Sequence, residues 1–164
     1  KNENYLIGPD TIAVALEYFV SSIVSNEAPF DRWIAGDESA FSEHAKQGFV
    51  LFNTKARCGY CHNTWRFSDS EVYDTGLSTE AASGKDNFKF KAVGLREIAH
   101  RPPYMHDGSL SSLEQVIDFY NRGGNLNRSG KSPQIRKLGL SKEEIAQLIE
   151  FLRTLGSAVE SGVR

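Results

Sequence analysis

The chain has 164 residues, 40% of them hydrophobic, and a formal net charge of −2, which suits one domain with a buried core. That charge and a pI near 6.1 give no basis for binding nucleic acid or an anionic membrane. The longest apolar stretch, residues 11–24, is broken by Glu17 and two serines and is too short and too polar to span a bilayer.

Residues 1–9 read as irregular and end at Gly8-Pro9. Asp10 is placed to cap a helix reaching about Ser25, with Ile12, Leu16, Phe19, Val20 and Ile23 on its apolar face. Glu27-Ala28-Pro29 breaks it, and residues 29–37 read as a turn-rich segment carrying two large aromatics. A second helix opens at Ser39 or Ser42 and runs through Phe52, with Ala45, Phe49 and Phe52 on one face. His44, in its first turn beside Glu43 and Lys46, reads as solvent-exposed rather than ligating.

That helix delivers the chain to Arg57-Cys58-Gly59-Tyr60-Cys61-His62. Two cysteines two residues apart, followed at once by histidine, form the attachment pattern of a c-type haem. The chemistry needs that spacing: two thiols add to two vinyl groups of one porphyrin, and the adjacent imidazole is held beneath the iron. The chain has two cysteines, both in this motif, so a structural disulfide elsewhere is excluded. A thioredoxin-type pair would sit near a βαβ pattern, and a zinc site would want a second ligand pair; the sequence offers neither. The expectation is one covalent haem c, anchored by Cys58 and Cys61, with His62 as proximal ligand.

Residues 63–90 form a long polar loop of the kind that can wrap a cofactor edge. Residues 88–93 alternate apolar and charged side chains as a brief strand, residues 95–99 suit one helical turn, and Pro102-Pro103 forces an extended path. A helix capped by Ser111 with Glu114 follows, with Leu113, Val116, Ile117 and Tyr120 on one face, and Gly123-Gly124 stops it. Residues 125–133 are another polar loop. A last helix starts at Ser141 with Glu144, buries Ile145, Leu148, Ile149, Leu152 and Leu155, and ends at Gly156, before a tail. The predicted fold is mostly α: a cytochrome c-like helical domain with long loops around one covalently bound haem. Residues 39–164 would form the haem domain, with 1–38 a helix and connecting arm packed on it. Lys1-Asn2-Glu3-Asn4 lacks signal-peptide character, yet haem c is attached outside the bacterial cytoplasm; the expectation is a periplasmic protein whose export signal has been removed, or a piece of a longer chain.

The iron's second axial position decides the chemistry: an open one permits peroxide reactions, a strong protein ligand restricts the haem to electron transfer. His44, His100, Met105, His106 and Tyr120 are the candidates. Met105 lies 43 residues past His62, where a simple electron-carrying cytochrome would place its methionine; its alternative is gap-filling in the core. Tyr120 points inward by periodicity, and pattern alone reads it as core packing with a hydrogen-bonded hydroxyl. His106, followed by Asp107-Gly108, suits a local hydrogen bond or a propionate.

Leu51-Phe52, the Cys58 to His62 motif, Arg101-Pro102-Pro103-Tyr104-Met105-His106-Asp107-Gly108-Ser109-Leu110, the stretch from Ser112 to Gly124 and the final helix together resemble the C-terminal haem domain of the bacterial dihaem cytochrome c peroxidase and MauG family. The turn Phe30-Asp31-Arg32-Trp33-Ile34-Ala35-Gly36-Asp37 fits the same pattern, so the resemblance covers about residues 10–156. It implies a six-coordinate haem whose distal ligand lies on the helix after the His-Asp-Gly element: methionine in the peroxidases, tyrosine in MauG-like members. The matching position is Tyr120, which the resemblance favours over Met105. It further implies a second haem-bearing domain or chain, or a redox protein partner, and calcium between two domains through carbonyls around Arg101 and Pro103. Two departures stand out: there is one C-x-x-C-H, and residues 54–57 lack the tryptophan that connects the haems in MauG-like members. The resulting expectation is an electron-transfer half or subunit of a dihaem oxidoreductase. Its rivals are a stand-alone periplasmic carrier ligated by His62 and Met105, and a peroxidatic haem with an open or labile sixth site.

Overall fold

Helices dominate the computed structural model, which describes residues 7–77, 88–125 and 130–157. In chain order they are α1 (Pro9–Ser22), α2 (Pro29–Ile34), α3 (Glu43–Asn53), α4 (Leu113–Asn121) and α5 (Lys142–Arg153), with short 3-10 turns at Cys58–Tyr60 and Ile98–His100. Two three-residue strands, β1 (Val72–Asp74) and β2 (Lys89–Lys91), pair antiparallel with Tyr73 opposite Phe90. Among the described residues, no helix is long and apolar enough to cross a membrane.

The core is the crossing of α3 and α5. Ala45, Phe52, Leu148, Phe151 and Leu155 are buried there, and Phe30, Phe49, Phe52, Phe67 and Phe151 meet edge-to-face or tilted at centroid separations of 5.1–6.1 Å. The two backbones come so close at Gly48 that a Cβ there would lie 2.0 Å from the Gln147 carbonyl oxygen. α4 packs on the other side of α5 through Leu113 and Ile117.

Several element ends differ from those predicted, each for a local reason. α1 starts at Pro9, not after an Asp10 cap: Gly8 is the N-cap, and the Thr11 hydroxyl both accepts from the Gly8 amide and donates to the Gly8 carbonyl, 2.9 Å each. The segment expected as turns at 29–37 contains α2, because Pro29 is pre-set for a first helical turn and the Asp31 carboxylate accepts from the Ala28 amide at 3.0 Å. The cap of α4 is Ser112 and not Ser111; the Ser112 hydroxyl accepts from the Gln115 amide, while the Gln115 side chain accepts from the Ser111 amide. Ser141 and Glu144 do form the reciprocal cap of α5. The strand expected at 88–93 is β2, whereas β1 had no signal of its own. The tail beyond residue 157 lies outside the described residues.

His44 is not a free surface histidine. Its two ring nitrogens meet Glu150 at 2.5 Å and Glu143 at 2.9 Å, which ties the start of α3 to both ends of α5. Of the stretch 1–38, Ala28 and Phe30 are buried, while α1 has no buried residue.

Candidate haem-attachment site

α3 runs out at Asn53, and the buried Ala56 turns the chain into the cysteine motif. Arg57 takes a left-handed conformation (φ 59°), and the Cys58 carbonyl then accepts from the amides of Cys61 (3.2 Å) and His62 (3.0 Å). One tight turn therefore carries both thiols and the imidazole. Both cysteines are free and half-buried. Burial pushes the Cys58 thiol up to about 12 and raises that of Cys61 as well.

His62 is fixed by the loop that follows it. A carbonyl can only accept, so the contact between its Nδ1 and the Phe67 carbonyl oxygen at 2.6 Å puts the proton on Nδ1 and leaves the Nε2 lone pair for a ligand. Burial lowers the His62 pKa, outweighing the opposing Phe67 hydrogen bond, and holds the ring neutral. The loop is braced in turn: the Phe67 amide donates to Thr64 (2.8 Å), the Leu95 amide to Arg66 (3.2 Å) and the Arg96 Nε to Trp65 (3.1 Å). Arg96 also makes a two-pronged ion pair with Asp31 of α2, at 3.0 and 2.8 Å.

α4 brings Tyr120 to the same place. Its hydroxyl pKa is raised by burial and then by charge on Cys58 and Cys61, so the phenol faces both thiols. Tyr120 is half-buried, and among the described residues its hydroxyl has no protein hydrogen-bond partner. Met105 lies in a tight turn. It has a positive φ of 71°, in the turn closed by the Tyr104–Leu110 bridge, and its carbonyl accepts from the Gly108 amide at 3.4 Å. His106 is exposed and stacks on Phe90 at 3.7 Å, and His100 lies against Gly156 at the end of α5.

The residues present fit a covalent porphyrin. Two unpaired thiols, a neutral imidazole with a free Nε2 and a half-buried phenol come together, and the adjoining Arg57 Nε is buried with no acceptor among the described residues. An orphaned guanidinium nitrogen beside the attachment cysteines suits an anionic substituent on the cofactor. Sequence reasoning missed three contributors. They are the Phe67 carbonyl, the orphaned Arg57, and the Tyr73 hydroxyl, which donates to Asp69 at 2.5 Å and borders Cys61. The first and third depend on backbone folding that no local pattern encodes.

Mostly helical, loop-rich and organised around a C-x-x-C-H turn, this is a cytochrome c-like domain. The chain is 43% identical over 159 residues to the methylamine utilization protein MauG of Methylorubrum extorquens, and 33% identical over 174 residues to the cytochrome-c peroxidase IdrP2 of Denitromonas iodatirespirans. These matches take in 91% and 84% of the chain, but 45% and 46% of the relatives, so it spans about half the length of the curated relatives it matches. A crystal structure of a MauG-like protein associated with microbial copper homeostasis superposes with a TM-score of 0.79 at 30% identity, over 93% of this chain and 58% of that one. No protein-family model matches the chain. Over the length it spans, the chain is a relative of the MauG and cytochrome c peroxidase proteins.

Proposed function

We propose that this chain is the electron-transfer unit of a MauG/cytochrome c peroxidase-type oxidoreductase, working in the periplasm beside a second haem-bearing domain or chain. Cys58 and Cys61 would anchor one haem c by thioether bonds, His62 would be its proximal ligand and Tyr120 its distal ligand. Bound in this way, the haem supplies a one-electron ferric/ferrous couple. The carrying observation is the placement of Tyr120: half-buried on α4, with its hydroxyl acted on by charge at both anchoring thiols.

The protein's part in this chemistry is positional. His62 is held neutral and aimed by Phe67, so no proton must leave before its Nε2 can bind. As a ligand Tyr120 would have to give up its proton, against burial that favours the neutral phenol; a ferric haem would supply the compensating charge, and an anionic oxygen would favour its oxidised state. The second domain is supported by relatives about twice as long and by α1, whose apolar stripe of Ile12, Leu16, Phe19, Val20 and Ile23 is 49–67% exposed. Calcium, implied by the resemblance around Arg101 and Pro103, would draw on donors from that second domain.

The test is spectroscopic. Tyr120→Phe should convert a low-spin ferric haem to high-spin, with both thioether bonds intact by mass. An unchanged spectrum, or a methionine-to-iron charge-transfer band in the parent protein, would return the distal position to Met105. Rapid peroxide turnover by the isolated holoprotein would show instead that this haem is peroxidatic.

A further inference from the structure

The braced loop beyond His62 exposes what the core would ordinarily cover. Trp65 lies three residues after the proximal histidine and is 71% exposed, with the Arg66 guanidinium 4.7 Å over its ring. Its backbone is held firmly, since the Trp65 carbonyl accepts from Arg96 and the Arg66 carbonyl from Leu95. Val93, 58% exposed, leads into Gly94, where a Cβ would stand 3.0 Å from the Arg66 carbonyl oxygen. From the other side Arg101, also exposed, donates to the carbonyls of Gly94 and Arg96 at 2.8 Å each. Trp65, Val93, Arg66 and Arg101 therefore gather around one glycine.

The charge of this patch is uncompensated. Arg96 is neutralised by Asp31, but among the described residues neither Arg66 nor Arg101 meets a carboxylate. A rigid exposed tryptophan ringed by free arginines has the composition of a binding hot spot, where aromatic and arginine side chains carry most of the energy. A chain whose net charge is −2 here presents local positive charge at Arg66, four residues beyond His62. We propose that the patch centred on Trp65, Arg66, Val93 and Arg101 is the docking surface for an electron-carrier protein with an acidic face. The inference rests on the electron-transfer reading above. Trp65 is the apolar anchor, Arg66 and Arg101 steer the encounter, and the short path from Trp65 through the loop to His62 makes contact there productive.

Stopped-flow oxidation of the reduced holoprotein tests this, using a strongly acidic blue-copper protein and a strongly basic cytochrome c as probes. The acidic probe should react faster at low salt, with a rate that falls as ionic strength rises. Arg66→Glu and Arg101→Glu should each cut that rate about tenfold, and Trp65→Ala should cut it at every ionic strength. All three should keep the parent haem spectrum and the parent rate with hexaammineruthenium, a small-molecule oxidant; the charge reversals keep the test valid if the tryptophan variant folds poorly. Preference for the basic probe, or acidic-probe rates unmoved by both reversals, would overturn the proposal. So would tighter binding to anionic lipid vesicles through the same arginines, or burial of Trp65 by a second haem-bearing chain in the native complex. Failure to react with hexaammineruthenium as well would defeat the electron-transfer reading itself, and this inference with it.

Discussion

His44 lies in the first turn of α3, and its ring nitrogens meet carboxylates from the two ends of α5. Both carboxylates can be served only by an imidazolium, so the hydrogen bond to Glu143, then that to Glu150, raises its pKa against a smaller opposing effect of desolvation. The Ser42 hydroxyl and Arg153 also act on Glu150, and their effect with His44 lowers its pKa. A folded-state pKa above the unfolded value of about 6.5 gives stability that is full below that pH and is lost as pH rises through the raised folded value. Glu150 contributes the opposite limb, present above its unfolded value and lost as pH falls through the depressed one. Melting temperature should therefore fall as pH climbs from about 6.5, and His44→Gln should flatten that alkaline limb while sparing the acid one. Identical pH profiles for the two proteins would refute the clip. The same residue shows where single-chain reading stops: Glu143 and Glu150 are 99 and 106 residues away, and nothing within α3 announces them. The turn of Cys58, Cys61 and His62 was legible as a unit because its pattern is local, and the Cys58 carbonyl closes it by accepting from the Cys61 and His62 amides. The Phe67 carbonyl that aims His62 was not, because its sequence identity is irrelevant to a backbone oxygen.

At the scale of elements, the α3–α5 crossing depends on the absence of a side chain at Gly48. Alanine is the better helix former by about 1 kcal/mol in an exposed helix, yet its Cβ would meet the Gln147 carbonyl at 2.0 Å and Phe151 Cβ at 2.8 Å. Backbone cannot rotate away, so the helices must part and loosen the phenylalanine cluster between them. Gly48→Ala should cost about 1–3 kcal/mol net, the usual range for overpacking. Leu148→Ala, which empties a fully buried position, should cost about 2–5 kcal/mol. Denaturant titration of the two variants checks both; a glycine variant as stable as the parent would mean that α3 and α5 can slide apart freely. The periodicity of α3, α4 and α5 was readable because each buries one face against a neighbour, and Ser141 with Glu144 marked α5 correctly. The start of α4 slipped by one residue because Ser111 and Ser112 both offer a hydroxyl. α2 was hidden because six residues are too few for a period.

The whole molecule carries an apolar helix that it does not itself cover. α1 has the same kind of stripe that α3 and α5 bury, yet Ile12, Leu16, Phe19, Val20 and Ile23 all face water. The sequence showed the stripe but could not show that no described residue of α1 is buried, since both situations have the same periodicity. Covering the apolar surface these five side chains leave exposed would take it out of water, which favours association with any partner that offers an apolar face. Purified alone, the holoprotein should therefore self-associate in a concentration-dependent way, the stripe pairing with the same stripe of a second copy. Replacing Leu16 and Phe19 by glutamate should give a monomer by sedimentation equilibrium, with the haem spectrum unchanged because both side chains are exposed and no hydrogen bond joins α1 to the attachment site among the described residues. Parent and variant both monomeric at tens of micromolar would mean that α1 is simply a solvated arm. Association surviving both glutamates would move the contact elsewhere, to the Trp65 patch first.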